Sequence, residues 1–170
     1  MKLRDHFTLV FLLLIFAFTA CSEGTTDTAE VVQTSTETES APTGYDPALA
    51  EEVGADEYGM KSYVMAFLKA GPNRDRSPEE AQELQRAHLD NIGRMAAAGQ
   101  LVLAGPFLDD GALRGIYIFN VATVEEAQAL TATDPAIQAG SLVMELHPWY
   151  GSAALMKVND LHTKLSKEDI

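Results

Sequence analysis

Few side chains in this sequence can move a proton near neutral pH. The chain has four histidines, His6, His88, His147 and His162, and one cysteine, Cys21. His88 stands out by position. It falls on the apolar side of the stretch Ser77 to Phe107, four residues after Leu84 and four before Ile92. Imidazole titrates near neutrality and serves as general acid or base, and a carboxylate on one ring nitrogen fixes its tautomer. The competing reading of such a position is a core histidine satisfied by a backbone carbonyl. Asp90 cannot be its partner, because two residues along a helix turn it roughly 200° away. Asp109 and Asp110 precede Gly111 and read as turn formers. Arg86 and Arg114 are the candidates for holding an anionic substrate, and the Gly105-Pro106 step could line its pocket. One cysteine excludes a cysteine-based zinc site, and no histidine pair has metal-ligand spacing. Glycine-rich phosphate loops, dinucleotide fingerprints and nucleophile elbows are also missing from the sequence. The expectation is a site without metal or cofactor that takes a small-molecule ligand.

The elements that must position His88 can be read from caps and periodicity. Lys61 to Ala70 alternates as a strand, with apolar residues on both faces, and Gly71-Pro72-Asn73 closes it. Ser77-Pro78-Glu79-Glu80 is a helix start: a serine N-cap, proline first, glutamate three after the cap. The apolar face that follows is Ala81, Leu84, His88, Ile92 and Met95, and Gly99 ends the helix. Leu101 to Ala104 reads as a second strand, broken by Gly105-Pro106, and Leu113 to Val121 as a third. Thr123-Val124-Glu125-Glu126 is another capping box, opening a helix of about eight residues. Asp134 caps a further short turn that Gly140 ends. Leu142 to His147 is a fourth strand, closed by Pro148-Trp149-Tyr150. The order β-α-β-β-α-β is the ferredoxin-like pattern, an α+β fold with helices on one sheet face. Strands apolar on both sides leave the other face to be covered, and a second copy is the simplest cover.

The chain around this domain has a different character. Residues 1–21 carry a basic start, Lys2 and Arg4, then an apolar run of 14 from Phe7 to Ala20, and end at Cys21. That is a secretory core, too short for the roughly 20 residues of a spanning helix. The sole cysteine directly after small residues resembles the lipobox of bacterial lipoproteins. The resemblance implies acylation of Cys21 and a membrane anchor, with Ser22 favouring the outer membrane, facing the periplasm. Residues 22–58 read as an acidic, Ser/Thr-rich tether, and 46–60 could form a short helix or continue the tether. Residues 22–60 hold ten acids and no Lys or Arg, within a formal net charge of −13. Such a balance argues against nucleic-acid binding. Residues 151–170 could form a strand or helix or lie loose.

Several motifs of the 59–150 region, taken together, resemble the YCII-related family. They are Arg86-x-His88-Leu89-Asp90, the run Gly99 to Phe107, Glu125-Glu126-Ala127, Asp134-Pro135 with Gly140, and Pro148-Trp149. The resemblance implies a dimeric α+β barrel, two ferredoxin-like units joined through their sheets. It also implies a histidine–aspartate pair, carried here by His88 and Asp134. One branch of that family acts as a dehydrochlorinase on a hydroxylated aromatic, and most members have no assigned reaction. The implied chemistry is proton transfer of the elimination or isomerisation type. The alternative is a non-catalytic dimeric binding module of the cell envelope. The leader has its own test. Mass spectrometry of membrane-extracted protein is expected to find an acylated N-terminal Cys21, and a soluble product beginning elsewhere would refute the anchor.

Overall fold

The computed structural model describes residues 44–168; Cys21, the leader and the tether up to residue 43 lie outside them. The sequence left residues 46–60 open between helix and tether, and they begin with a helix, α1 (Pro47–Val53). The Asp46 side chain accepts from the backbone N–H of Ala48 and Leu49, and Gly54 in the left-handed region ends it. Strand β1 (Met60–Ala70) follows, then α2 (Pro78–Ala97). Both halves of the Ser77/Glu80 capping box form at the start of α2. Gly99, at φ 68°, takes the left-handed turn after it. Strands β2 (Leu101–Pro106) and β3 (Leu113–Phe119) lead to α3 (Val124–Thr131), opened by the Thr123/Glu126 box. The single-turn α4 (Pro135–Gln138) and strand β4 (Leu142–Ser152) complete the predicted order.

The sheet order is β2-β3-β1-β4, antiparallel at every pairing. This is the ferredoxin-like arrangement, and the fold is α+β as expected. Three strand ends differ from the sequence reading: β3 stops at Phe119, two residues before Val121, and two strands run longer. β2 continues through Gly105 and Pro106, paired with Ile116 and Gly115, and β4 continues through Pro148, paired with Val64. Both strands are edges, where an N–H on the free side has no ladder partner to lose, so proline does not stop them.

The helix-facing side of the sheet holds the main core. Val64, Ala66, Leu68, Tyr117 and Phe119 pack there with Met95 of α2, Leu101 and Ala127 of α3. The opposite face carries Tyr63, Val102 and Ile118, also buried. What buries them comes from the C-terminal extension, whose state the sequence did not decide. A 3₁₀ turn (Ala153–Lys157) lays Leu155 and Met156 over that cluster, and α5 (Val158–Leu165) then packs beside β2. The Asn159 amide donates to the Leu101 carbonyl at 2.8 Å. The rest of that face, with half-buried Met65, Phe67 and Ile116 and exposed Val143, stays open.

At one end of the sheet the β1–α2 connection is clamped to the chain after α4. Gly71 N–H donates to Ser141 O at 2.9 Å and Asn73 N–H to Gly140 O at 3.0 Å. A Cβ on Gly71 would lie 2.3 Å from Gly140 O, against backbone that cannot swing away. Gly71→Ala is therefore expected to cost about 1–3 kcal/mol. Gly93→Ala, inside α2 with open space beside it, should instead stabilise by up to about 1 kcal/mol. Urea unfolding of both variants checks the contrast; equal effects would mean the clamp is loose.

Candidate functional site

The site is assembled by three elements. α2 presents His88 toward the sheet, seven residues before the buried Met95, and His88 is 8% exposed. The α3–α4 junction supplies Asp134, which is fully buried. The central strand β3 supplies Tyr117 from the face it shares with Phe119. The Asp134 carboxylate meets His88 Nδ1 with both oxygens, at 3.0 Å for Oδ1 and 2.8 Å for Oδ2. Oδ1 also accepts the Ala136 N–H at 2.8 Å, as the cap of α4. Capping and histidine-pairing are thus two uses of one carboxylate.

An ionised carboxylate can only accept, so Nδ1 carries the proton and Nε2 of the neutral ring carries the lone pair. Nε2 faces the Tyr117 hydroxyl at 3.3 Å, a long contact for an O–H donor. The two rings lie nearly parallel, 19° apart, with centroids separated by 6.3 Å. Burial, reinforced by the negative charge of Asp134, pushes the Tyr117 phenol far above its ordinary value. Tyr117 therefore stays neutral and acts as a donor to Nε2.

Asn91, one turn after His88, braces this arrangement. Its Oδ1 accepts from Arg94 Nη2 at 2.8 Å and from Thr133 Oγ1 at 3.2 Å, and Arg94 Nη2 also reaches Thr133 Oγ1 at 2.8 Å. Thr133 directly precedes Asp134, so the bridge fixes the α3–α4 junction against α2.

His88 and Tyr117 open on a cavity of about 1330 Å³ between α2, β2, β3 and α5. Leu84, Ile92, Leu101 and Phe107 make its wall largely apolar, and Gly105, Pro106 and Arg114 also line it. Arg86 is a correction. It is exposed and outside the cavity lining, because two positions from His88 a helix residue points away from the sheet. Sequence reasoning missed Tyr117, Arg74, Arg76 and the α5 residues His162 and Thr163, all of which line the cavity. The signal for Tyr117 was present. Strand alternation puts it on the face of Phe119, and a buried tyrosine hydroxyl needs a partner. The α5 residues carried no such signal.

The model of the YCII-related domain matches residues 63–150, just over half of the chain. The chain belongs to the YCII-related family. A curated relative, the uncharacterized protein YjpA of Bacillus subtilis, is 30% identical over 90 residues, 53% of this chain and 95% of its own length. Among solved structures, the chain is similar to 5-chloro-2-hydroxyhydroquinone dehydrochlorinase from Burkholderia phenoliruptrix AC1100, in complex with 2,5-dihydroxybenzoquinone. The TM-score is 0.40 and the identity 18%, over 51% of this chain and 92% of that one. All three residues of the His88–Asp134–Tyr117 constellation lie inside the YCII-related segment, whereas α5 lies beyond it.

Tyr117 gives the site a pH signature. Its neutral form is favoured by the fold, while an unfolded tyrosine ionises near pH 10. Its contribution to stability is complete below about pH 10 and declines as pH rises above that. Tyr63, raised by burial, and Tyr150, raised to about 12 by its hydrogen bond to Asp56, add to the same alkaline limb. Tyr117→Phe is expected to flatten that limb in part, read from urea midpoints between about pH 9 and 11. An unchanged slope would contradict a buried neutral phenol.

Proposed function

We propose that this YCII-related protein is a small-molecule enzyme of acid–base type, catalysing an elimination or isomerisation. His88 Nε2 takes a proton from substrate carbon or oxygen and returns it, to another atom of the substrate in an isomerisation or to the departing leaving group in an elimination. Asp134 holds the ring by Nδ1 and offsets the positive charge that the ring gains. Tyr117 donates to Nε2 and is displaced, or turned toward substrate oxygen, when a ligand enters. The observation that carries the reading is the two-oxygen contact of a fully buried carboxylate with a histidine on a cavity wall. A charge without such a partner would be costly at that depth.

The second reading, a non-catalytic binding module, is favoured by the Tyr117 contact. Both histidine nitrogens already have partners within the chain. A screen of small phenolic and carbonyl compounds separates the two. Turnover by the wild type is expected to fall about 10²–10⁴-fold in His88→Ala. Equal turnover by both would exclude His88 from the chemistry.

The proposed working state is a homodimer, formed through the open half of the sheet around Met65, Phe67, Ile116 and Val143. The site faces no nucleic acid and, with Cys21 acylated, operates at the cell envelope, on the periplasmic side of the outer membrane. Sedimentation of the wild type is expected to give a dimer and Phe67→Glu a monomer. A monomeric wild type would refute the interface.

A further inference from the structure

Four of the twelve lysines and arginines of this acidic chain line one cavity. The formal net charge is −13, yet Arg74, Arg76, Arg114 and Lys167 line the His88 cavity, and the acid among its lining is Glu168. The topology brings the arginines together. β1 and β2 finish, and β3 and β4 begin, at the same end of the sheet. Arg74 and Arg76 lie just past the end of β1, and Arg114 lies at the start of β3.

Their head groups are held by backbone oxygens. Arg74 Nη1 donates to Ser141 O at 3.2 Å, Arg114 Nη1 to Gly111 O at 3.3 Å, and Arg76 to Ala139 O at 2.9 Å and to Asn73 O. Carbonyls orient a guanidinium without cancelling its charge. Each fork keeps at least three of its five donors for another acceptor. Among the described residues the ion pairs are Lys69–Glu145, His88–Asp134, His147–Glu145 and Lys157–Glu52, none involving these arginines. Asp75, Glu80 and Glu83 share an adjoining groove with Arg74 and Arg76, and the Asp109 carboxylate lies beside Gly111, whose carbonyl holds Arg114.

We infer that the cavity binds a small carboxylate, gripped by Arg114 with Arg76 and Arg74 beside it, its apolar body lying along β2 toward His88. The inference rests on the proposed acid–base reading for the direction in which the ligand lies, and names the substrate class. Arg114 is the residue skipped where the β1–β3 register shifts, and it lines the same cavity as Tyr117. The ligand class is one ring with a short side arm. Leu84, Ile92, Leu101 and Phe107 supply the apolar wall that such a ring needs.

Titration calorimetry of the mature protein with phenylacetate and its neutral analogue phenylacetamide tests this. The carboxylate is expected to bind about tenfold more tightly, the size of a charge-assisted hydrogen bond. Arg114→Gln, or the Arg76→Gln/Arg114→Gln double variant, should abolish the preference. His88→Gln should keep the preference. Equal affinity for both probes, binding of neither, or a preference that survives the double variant would overturn the inference. So would loss of the preference in His88→Gln, since the imidazole would then be the anion's partner. A preference that persists in a protein without His88-dependent turnover would leave the carboxylate site standing and sink the enzyme reading alone.

Discussion

The structure turns on one carboxylate. Asp134 is a buried charge that ends the α3–α4 turn and must be answered from at least two directions. The Ala136 N–H answers from its own turn and His88 from a different helix. Because one group serves both, the position of α4 and the tautomer of His88 are set together. The Asn91–Arg94–Thr133 bridge holds the same junction one helical turn further on. Helix packing and site geometry are therefore a single constraint, and a shift in one displaces the other.

This coupling explains which parts were legible in the sequence. Capping boxes at Ser77 and Thr123 and the left-handed glycines at 99 and 140 are local signals, and all formed where they were read. The pairing of His88 with Asp134 spans 46 residues, and no periodicity encodes it; family resemblance pointed to Asp134, and local chemistry identified only the cap. The strand ends were misjudged for a physical reason. Pro106 and Pro148 read as breakers because a proline lacks a donor, but whether that matters depends on whether the strand is an edge, which is a property of the whole sheet.

The C-terminal extension was illegible for another reason. Its turn and helix are short and weakly patterned, and they take their structure from what they cover. Leu155 and Met156 close over one face of the sheet, while α5 stands beside β2 and lines the cavity on the other. A segment outside the YCII-related match thus contributes to the boundary of the site. Arg86 marks the opposite failure: the right residue type for an anion, on the wrong side of its helix. Arg74 and Arg76 sit in a connection without regular periodicity, and only the sheet's topology brings them beside Arg114.

The two edge prolines have a consequence beyond strand length. A sheet rim is a comb of donors and acceptors onto which any extended chain can zip, a copy of the same protein included. Pro106 and Pro148 each remove a tooth from that comb, one on either rim, and Asn159 occupies the Leu101 carbonyl on the β2 side. Contact between copies is thereby discouraged along the rims, where it could run on into a fibre.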